Sequence, residues 1–130
     1  MSEITILVVD DNPTNLKLVA DVLAFDGYRI LKAGDAEEAQ ELIKTSALDL
    51  ILMDIALPGM DGLTLTRQIK ANEKTRGIVV VALTAFAMKG DDEKARAAGC
   101  DGYITKPIDT RKLPGYVAGC LARRGAERPS

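Results

Sequence analysis

Five short apolar runs recur along the chain: ITILVV (Ile4–Val9), Tyr28–Leu31, Leu48–Met53, IVVVAL (Ile78–Leu83) and GYIT (Gly102–Thr105). Several are rich in β-branched residues, and all have the length of a strand buried in a sheet rather than of a helix. Helical patterns separate them. Asn12 before Pro13 fits an N-cap with proline in the first turn. Leu18, Val19, Val22 and Leu23 then recur at helical spacing, which predicts one buried face, and Gly27 ends the segment. Asp35–Lys44 starts acidic and ends basic, as the helix dipole prefers. Leu63 and Ile69 mark a third helix, Gly90-Asp91 opens a fourth that closes at Gly99, and Asp109 or Thr110 is expected to cap a last one ending near Leu121. Pro114-Gly115 falls inside that last helix, so a start near Leu113, or a kink, is expected.

Strand and helix thus alternate five times, which predicts an α/β protein with a parallel sheet covered on both faces. Right-handed crossovers leave few topologies, and the favoured one is a flavodoxin-like (βα)5 doubly wound sheet of strand order 2-1-3-4-5. The chain has 130 residues, 47% of them hydrophobic, enough for one core. Residues 1–122 are expected to form the domain and 123–130 a short polar tail. A net charge of −2 argues against nucleic acid as a partner, and the apolar runs are too short for membrane insertion. Met1-Ser2-Glu3 leads straight into the first strand with no secretory pattern, so a cytoplasmic protein is expected. Cys100 and Cys120 have neither metal nor redox spacing and read as free thiols. Histidine is absent, so any chemistry uses carboxylates, hydroxyls, lysine or backbone.

Ligands of an open parallel sheet bind beyond the carboxyl ends of its strands. Asp10 and Asp11 follow the first strand, Asp54 the third, Thr84 the fourth, and Thr105-Lys106-Pro107 the fifth. In the expected order those strands are neighbours. Each residue alone has a plain reading: Asp11 a helix cap, Thr84 a β-branched strand residue, Lys106 a solvated charge, Pro107 a turn residue. Asp54 is harder to explain so, because a carboxylate in an apolar run costs free energy unless it is paired or bound to a cation. Together the groups point to one site. Clustered carboxylates repel unless cations intervene. All-oxygen ligands without His or Cys suit Mg²⁺. A carboxylate beside Mg²⁺, Lys106 and the Thr84 hydroxyl can attack phosphorus while those groups hold the charge of the transferred phosphoryl oxygens.

With VVDDN, LILMDIALPGMDG, VALTAFA and YITKPI in place, the chain resembles the receiver domain of two-component response regulators from Ile4 to about Leu121. It looks most like the stand-alone, DivK-like receivers and those of hybrid histidine kinases. The resemblance implies that Asp54 accepts phosphate from a histidine kinase or a histidine phosphotransfer protein. It implies Mg²⁺, with Mn²⁺ as a substitute, on Asp10, Asp11, Asp54 and the carbonyl of Ala56. Thr84 and Lys106 would contact the phosphoryl oxygens, Tyr103 would turn inward as Thr84 moves, and Lys106-Pro107 would match a bond that is cis in the family. The loop Met60-Asp61-Gly62 would close the pocket. Asn15 and Leu16, with Pro107, would meet the phosphate donor, although Leu16 also reads as marginal core. Ala56 and Phe86 are apolar where the family tunes phosphate loss, so slow self-dephosphorylation is expected.

The resulting expectation is a single-domain phosphoacceptor signalling protein, not an enzyme acting on a separate substrate, that meets a downstream protein target. Alternatives are a receiver excised from a hybrid kinase, a pseudo-receiver binding module, and a Mg²⁺-dependent aspartyl phosphatase. The last wants an acid two residues after the nucleophile, where Ala56 stands. The Met1 start and short tail favour a complete protein over an excised one.

Overall fold

The computed structural model describes residues 4–55, 57, 60, 62–84, 91–105 and 108–127, the backbone alone at 91–92 and 123–127. Ten elements alternate: β1 (Thr5–Val9), α1 (Pro13–Phe25), β2 (Arg29–Ala33), α2 (Ala36–Thr45), β3 (Leu50–Asp54), α3 (Gly62–Ala71), β4 (Val79–Thr84), α4 (Asp91–Ala98), β5 (Gly102–Thr105) and α5 (Leu113–Glu127). The strands form one parallel sheet of order β2-β1-β3-β4-β5, the expected flavodoxin-like arrangement.

Every residue of β1, β3 and β4 is buried, whereas the edge strands β2 and β5 are mostly half-exposed. Alternation of side chains across each strand divides the core in two. Leu7, Val9, Ile51, Met53, Val80 and Ala82 meet Ala36 and Ala39 of α2, Leu65 and Ile69 of α3 and Ala95 of α4. On the other face Ile6, Val8, Leu50, Leu52, Val81 and Leu83 meet Val19 and Leu23 of α1 and Leu113 and Val117 of α5. The central strands are therefore clamped from both sides, their last residues included.

Local chemistry sets the helix ends. The Asn12 side chain accepts from the Thr14 and Asn15 amides at 2.9 and 3.2 Å, with Pro13 in the first turn where its missing N–H costs nothing. Asp35 caps α2 by accepting from the Glu38 amide at 2.7 Å. Gly27 and Gly99 follow α1 and α4 with φ of 96° and 105°, the left-handed conformation that stops a helix. At the end of the sheet where β4 begins, the Lys70 ammonium donates to the Ile78 carbonyl at 2.7 Å and to Asp101 at 2.8 Å. The same Asp101 oxygen accepts from the Val80 amide at 2.9 Å.

Two expectations need correction. Leu18 is not part of the buried face of α1: it is 46% exposed, while Val19, Ala20 and Leu23 turn to the sheet. α5 does not end near Leu121 but continues to Glu127; it starts at Leu113, after a turn over Thr110–Lys112 that Asp109 opens, its side chain accepting from the Arg111 amide at 3.0 Å and its carbonyl from the Lys112 and Leu113 amides. That start places Pro114 in the first turn of α5, where its missing N–H breaks no helical bond, so no kink is required.

Candidate functional site

Asp54 is the last residue of β3 and Thr84 the last of β4; Asp10 directly follows β1. The parallel register sets Val9 beside Met53 and Asp54 beside Leu83, so these three side chains emerge at one level of the sheet. Asp10, Asp54 and Thr84 are 1%, 3% and 2% exposed, among few buried polar residues in an otherwise apolar core. Asp11, at the mouth, is exposed. Carboxylate oxygens of Asp10, Asp11 and Asp54 lie within 4.8 Å of one another.

Backbone contacts fix this cluster. The Asp10 amide donates to the Ala33 carbonyl of β2 at 3.1 Å, and Asp10 Oδ1 accepts from the Asn12 amide at 2.9 Å, which aims the carboxylate across the start of α1. The Ile55 amide donates to the Leu83 carbonyl at 3.1 Å, continuing the β3–β4 ladder past Asp54. The Gly62 amide then donates to the Ile55 carbonyl at 3.1 Å, so the chain returns to the end of β3 as α3 begins. Gly62 is in such close approach that a Cβ there would lie 2.8 Å from Ile55 Cα and 2.9 Å from Met53 Cγ, and closer still to the Asp54 carbonyl oxygen. The family resemblance implies that Gly62 belongs to a pocket-closing loop; the structure makes it the first residue of α3, and its contact with the Asp54 main chain is visible only in three dimensions. Met60, before α3, receives a 3.8 Å contact from the Gln40 side-chain amide, which also donates to Gln68 at 3.0 Å and so links α2 to α3.

Three negative charges converging beside a dry core cost free energy that a hard cation offsets, and the donor set holds oxygen alone. The cluster therefore suits Mg²⁺ and offers nothing that favours a thiophilic metal.

A profile described as response regulator receiver domain matches residues 6–118. The chain belongs to this receiver family. The polar-differentiation response regulator DivK of Brucella ovis is 45% identical over 109 residues, which cover 84% of this chain and 89% of that protein. Among solved structures, a CheY-like receiver domain protein from Methanospirillum hungatei superposes with a TM-score of 0.88 at 31% identity, covering 98% of this chain and 100% of that one. The receiver domain of the sensor histidine kinase PA1611 from Pseudomonas aeruginosa has a TM-score of 0.84 at 35% identity over 93% of this chain and 99% of that one, and carries magnesium coordinated in its active-site cleft. The acidic pocket in which the receiver family binds Mg²⁺ is present here as Asp10, Asp11 and Asp54. Receivers are signalling proteins that meet histidine kinases and downstream targets. Among the described residues no helix is long and apolar enough to cross a membrane.

The remaining expected site residues fall in three groups. Tyr103 lies in β5, registered with Ala82 one strand away from β3; it is half-buried against the core on the α2–α4 side. Thr105, the last residue of β5, is registered with Thr84. Asn15 and Leu16 sit in the first turn of α1, both half-buried, with Leu16 packed against the α1–α5 side of the core, so part of its apolar surface serves the fold. Ala56, Phe86, Lys106 and Pro107 lie outside the described residues, as does Asp61. Away from the site, burial pushes the Cys100 thiol up from its ordinary pKa, and the Thr66 hydroxyl beside it at 3.9 Å opposes this. A buried thiol held protonated is a poor nucleophile.

Proposed function

We propose that this receiver takes a phosphoryl group from a phosphohistidine onto Asp54 and relays its state by protein contact. The three-carboxylate cluster at the ends of β1 and β3 carries the reading. An Asp54 oxygen attacks the phosphorus in line; the N–P bond breaks, and the imidazole leaves with the electron pair and takes up a proton. Bound Mg²⁺, or Mn²⁺ in its place, supplies positive charge to the phosphoryl oxygens, with Asp10, Asp11, Asp54 and the Ala56 carbonyl as the groups that would hold it. The Thr84 hydroxyl and the Lys106 ammonium take the remaining phosphoryl oxygens. Asp54 is positioned for attack by the fully buried strand that precedes it, so little orientation entropy is left to lose.

The phosphate donor, a histidine kinase or a histidine phosphotransfer protein, docks on Asn15, Leu16 and Pro107. Tyr103 follows Thr84 inward and reshapes the face of α4, β5 and α5 for the downstream target. Residues 1–122 carry the phosphoacceptor function and 123–130 are a polar extension into which α5 continues as far as Glu127; the protein works in the cytoplasm and turns over no separate substrate.

The test is incubation with acetyl phosphate and Mg²⁺ followed by intact mass. One phosphoryl adduct on the parent, absent in Asp54→Asn and absent with EDTA, is expected. No adduct on the parent would make the chain a pseudo-receiver binding module instead.

A further inference from the structure

β5 is an edge strand: among the described residues it pairs with β4 alone. An edge exposes main-chain donors and acceptors that invite another strand or fray. Here the edge is covered from within. The Tyr116 hydroxyl, reaching over from α5, accepts from the Tyr103 amide at 2.9 Å and donates to the Tyr103 carbonyl at 3.3 Å. One side chain thus takes both main-chain groups of one residue. Gly102 makes room for it: a Cβ there would come within 2.6 Å of the Tyr116 hydroxyl. The Tyr116 ring packs against the α1–α5 side of the core, whereas the Tyr103 ring packs against the α2–α4 side. The clamp therefore joins the two faces of the sheet across its edge. A cavity of about 450 Å³ between α2 and α3 is larger than the one of about 390 Å³ beside Tyr103, but only the second borders both tyrosines, together with Ala95, Arg96, Cys100 and Asp101.

We propose that Tyr116 is the positioning residue for Tyr103, and Gly102 the residue that admits it. The hydroxyl pins the peptide about which the Tyr103 side chain pivots. A change at Thr84 then reaches the α4–β5–α5 face as a side-chain rotation on a fixed strand rather than being lost in movement of the strand. The cavity beside Tyr103 is the space into which neighbouring side chains give way. The signalling part of this inference rests on the phosphoacceptor reading; the clamp itself does not.

The test uses the full chain and Tyr116→Phe, which keeps the ring and removes the hydroxyl. By hydrogen exchange without phosphate, the Tyr103 amide is expected to exchange at least about tenfold faster, while amides of β1 and β3 keep parent rates. By NMR with Mg²⁺ and beryllofluoride, a phosphoryl mimic, the Asp54 amide should titrate as in the parent while the shift of the Tyr103 ring falls to less than half. A residue that merely stabilised the fold would leave that second response whole. Gly102→Ala should reproduce both effects, and the double variant should be no worse than either single one, since both remove the same contact. Parent protection at Tyr103 in both single variants, or a full Tyr103 response in Tyr116→Phe, overturns the proposal. Failure of beryllofluoride to perturb the parent would instead count against the phosphoacceptor reading and leave the exchange result to judge the clamp.

Discussion

Gly62→Ala isolates one steric contact at the site. The residue opens α3 without a positive φ, so Ala meets no backbone strain there. What it meets is main chain: Ile55 Cα at 2.8 Å and the Asp54 carbonyl closer still, with Met53 Cγ at 2.9 Å. Flexible side-chain ends could swing away from a new methyl group, but main chain at the end of a buried strand cannot. Overpacking of this kind costs about 3 kcal/mol, at the upper end of its usual range. Ala returns about 0.5–1 kcal/mol through better helix propensity. A net loss of about 2 kcal/mol lowers the urea midpoint by roughly 1 M for a domain of this size. The melting temperature falls by roughly 6–10 °C. Gly119→Ala is the control: it lies inside α5 with nothing within 4 Å of the added Cβ, so it should gain about 0.5–1 kcal/mol. Because the clash falls on the Asp54 and Ile55 main chain, Mg²⁺ titration of Gly62→Ala should also show affinity reduced several-fold, whereas Gly119→Ala binds as the parent does. A parent-like urea midpoint for Gly62→Ala would refute the close approach.

Asp10→Asn keeps the acceptor for the Asn12 amide but removes one of three converging charges. It should raise the melting temperature in EDTA by relief of about 1–3 kcal/mol of repulsion, and shrink the further rise that Mg²⁺ gives the parent; calorimetry with and without Mg²⁺ decides. Lys70→Met keeps the stem but loses the bonds to Ile78 and Asp101, which should cost about 1–3 kcal/mol in urea unfolding and leave Mg²⁺ affinity untouched. For Cys100 the pKa is raised in the fold, so the native state holds its proton longer than the unfolded chain. Its contribution is whole below the ordinary value of 9.0 and fades as pH rises from there through the folded pKa. Urea midpoints should therefore decline above about pH 9, and Cys100→Ala should flatten that decline.

The fold was legible because the central strands are covered on both faces. When both faces of a strand are buried, the sequence carries an uninterrupted apolar run, and β1, β3 and β4 stand out as such. Legibility fades where burial is partial. Leu18 belongs to the apolar stripe by spacing, but α1 presents Val19 and Leu23 to a single sheet face, and periodicity alone does not say where the stripe's margin falls. The far end of α5 runs through Ala122, Arg123, Arg124, Gly125, Ala126 and Glu127, a stretch with no large apolar residue, so no apolar periodicity in the sequence announces it.

The site divides in the same way. Its carboxylates were legible because charge inside or directly after an apolar run is costly and so calls for a partner. Contacts made by a returning chain were not: Gly62 beneath Asp54, and Tyr116 over Tyr103, depend on where a distant segment comes back, and neither residue type signals that in one dimension. This has a consequence for how such a receiver can vary. The acids sit at the ends of central strands, where both cores constrain the backbone and a displaced carboxylate would lose its neighbours. Among the described residues the edge strand β5 is held by four residues of ladder on one side only, so its position is open to adjustment by a single residue of α5. A tyrosine hydroxyl there tightens the edge from the side of β5 away from β4, where Tyr103 is registered with Ala82 rather than with Thr84. The output of the domain can therefore be tuned at Tyr116 and Gly102 while Asp10, Asp11, Asp54 and Thr84 stay as they are.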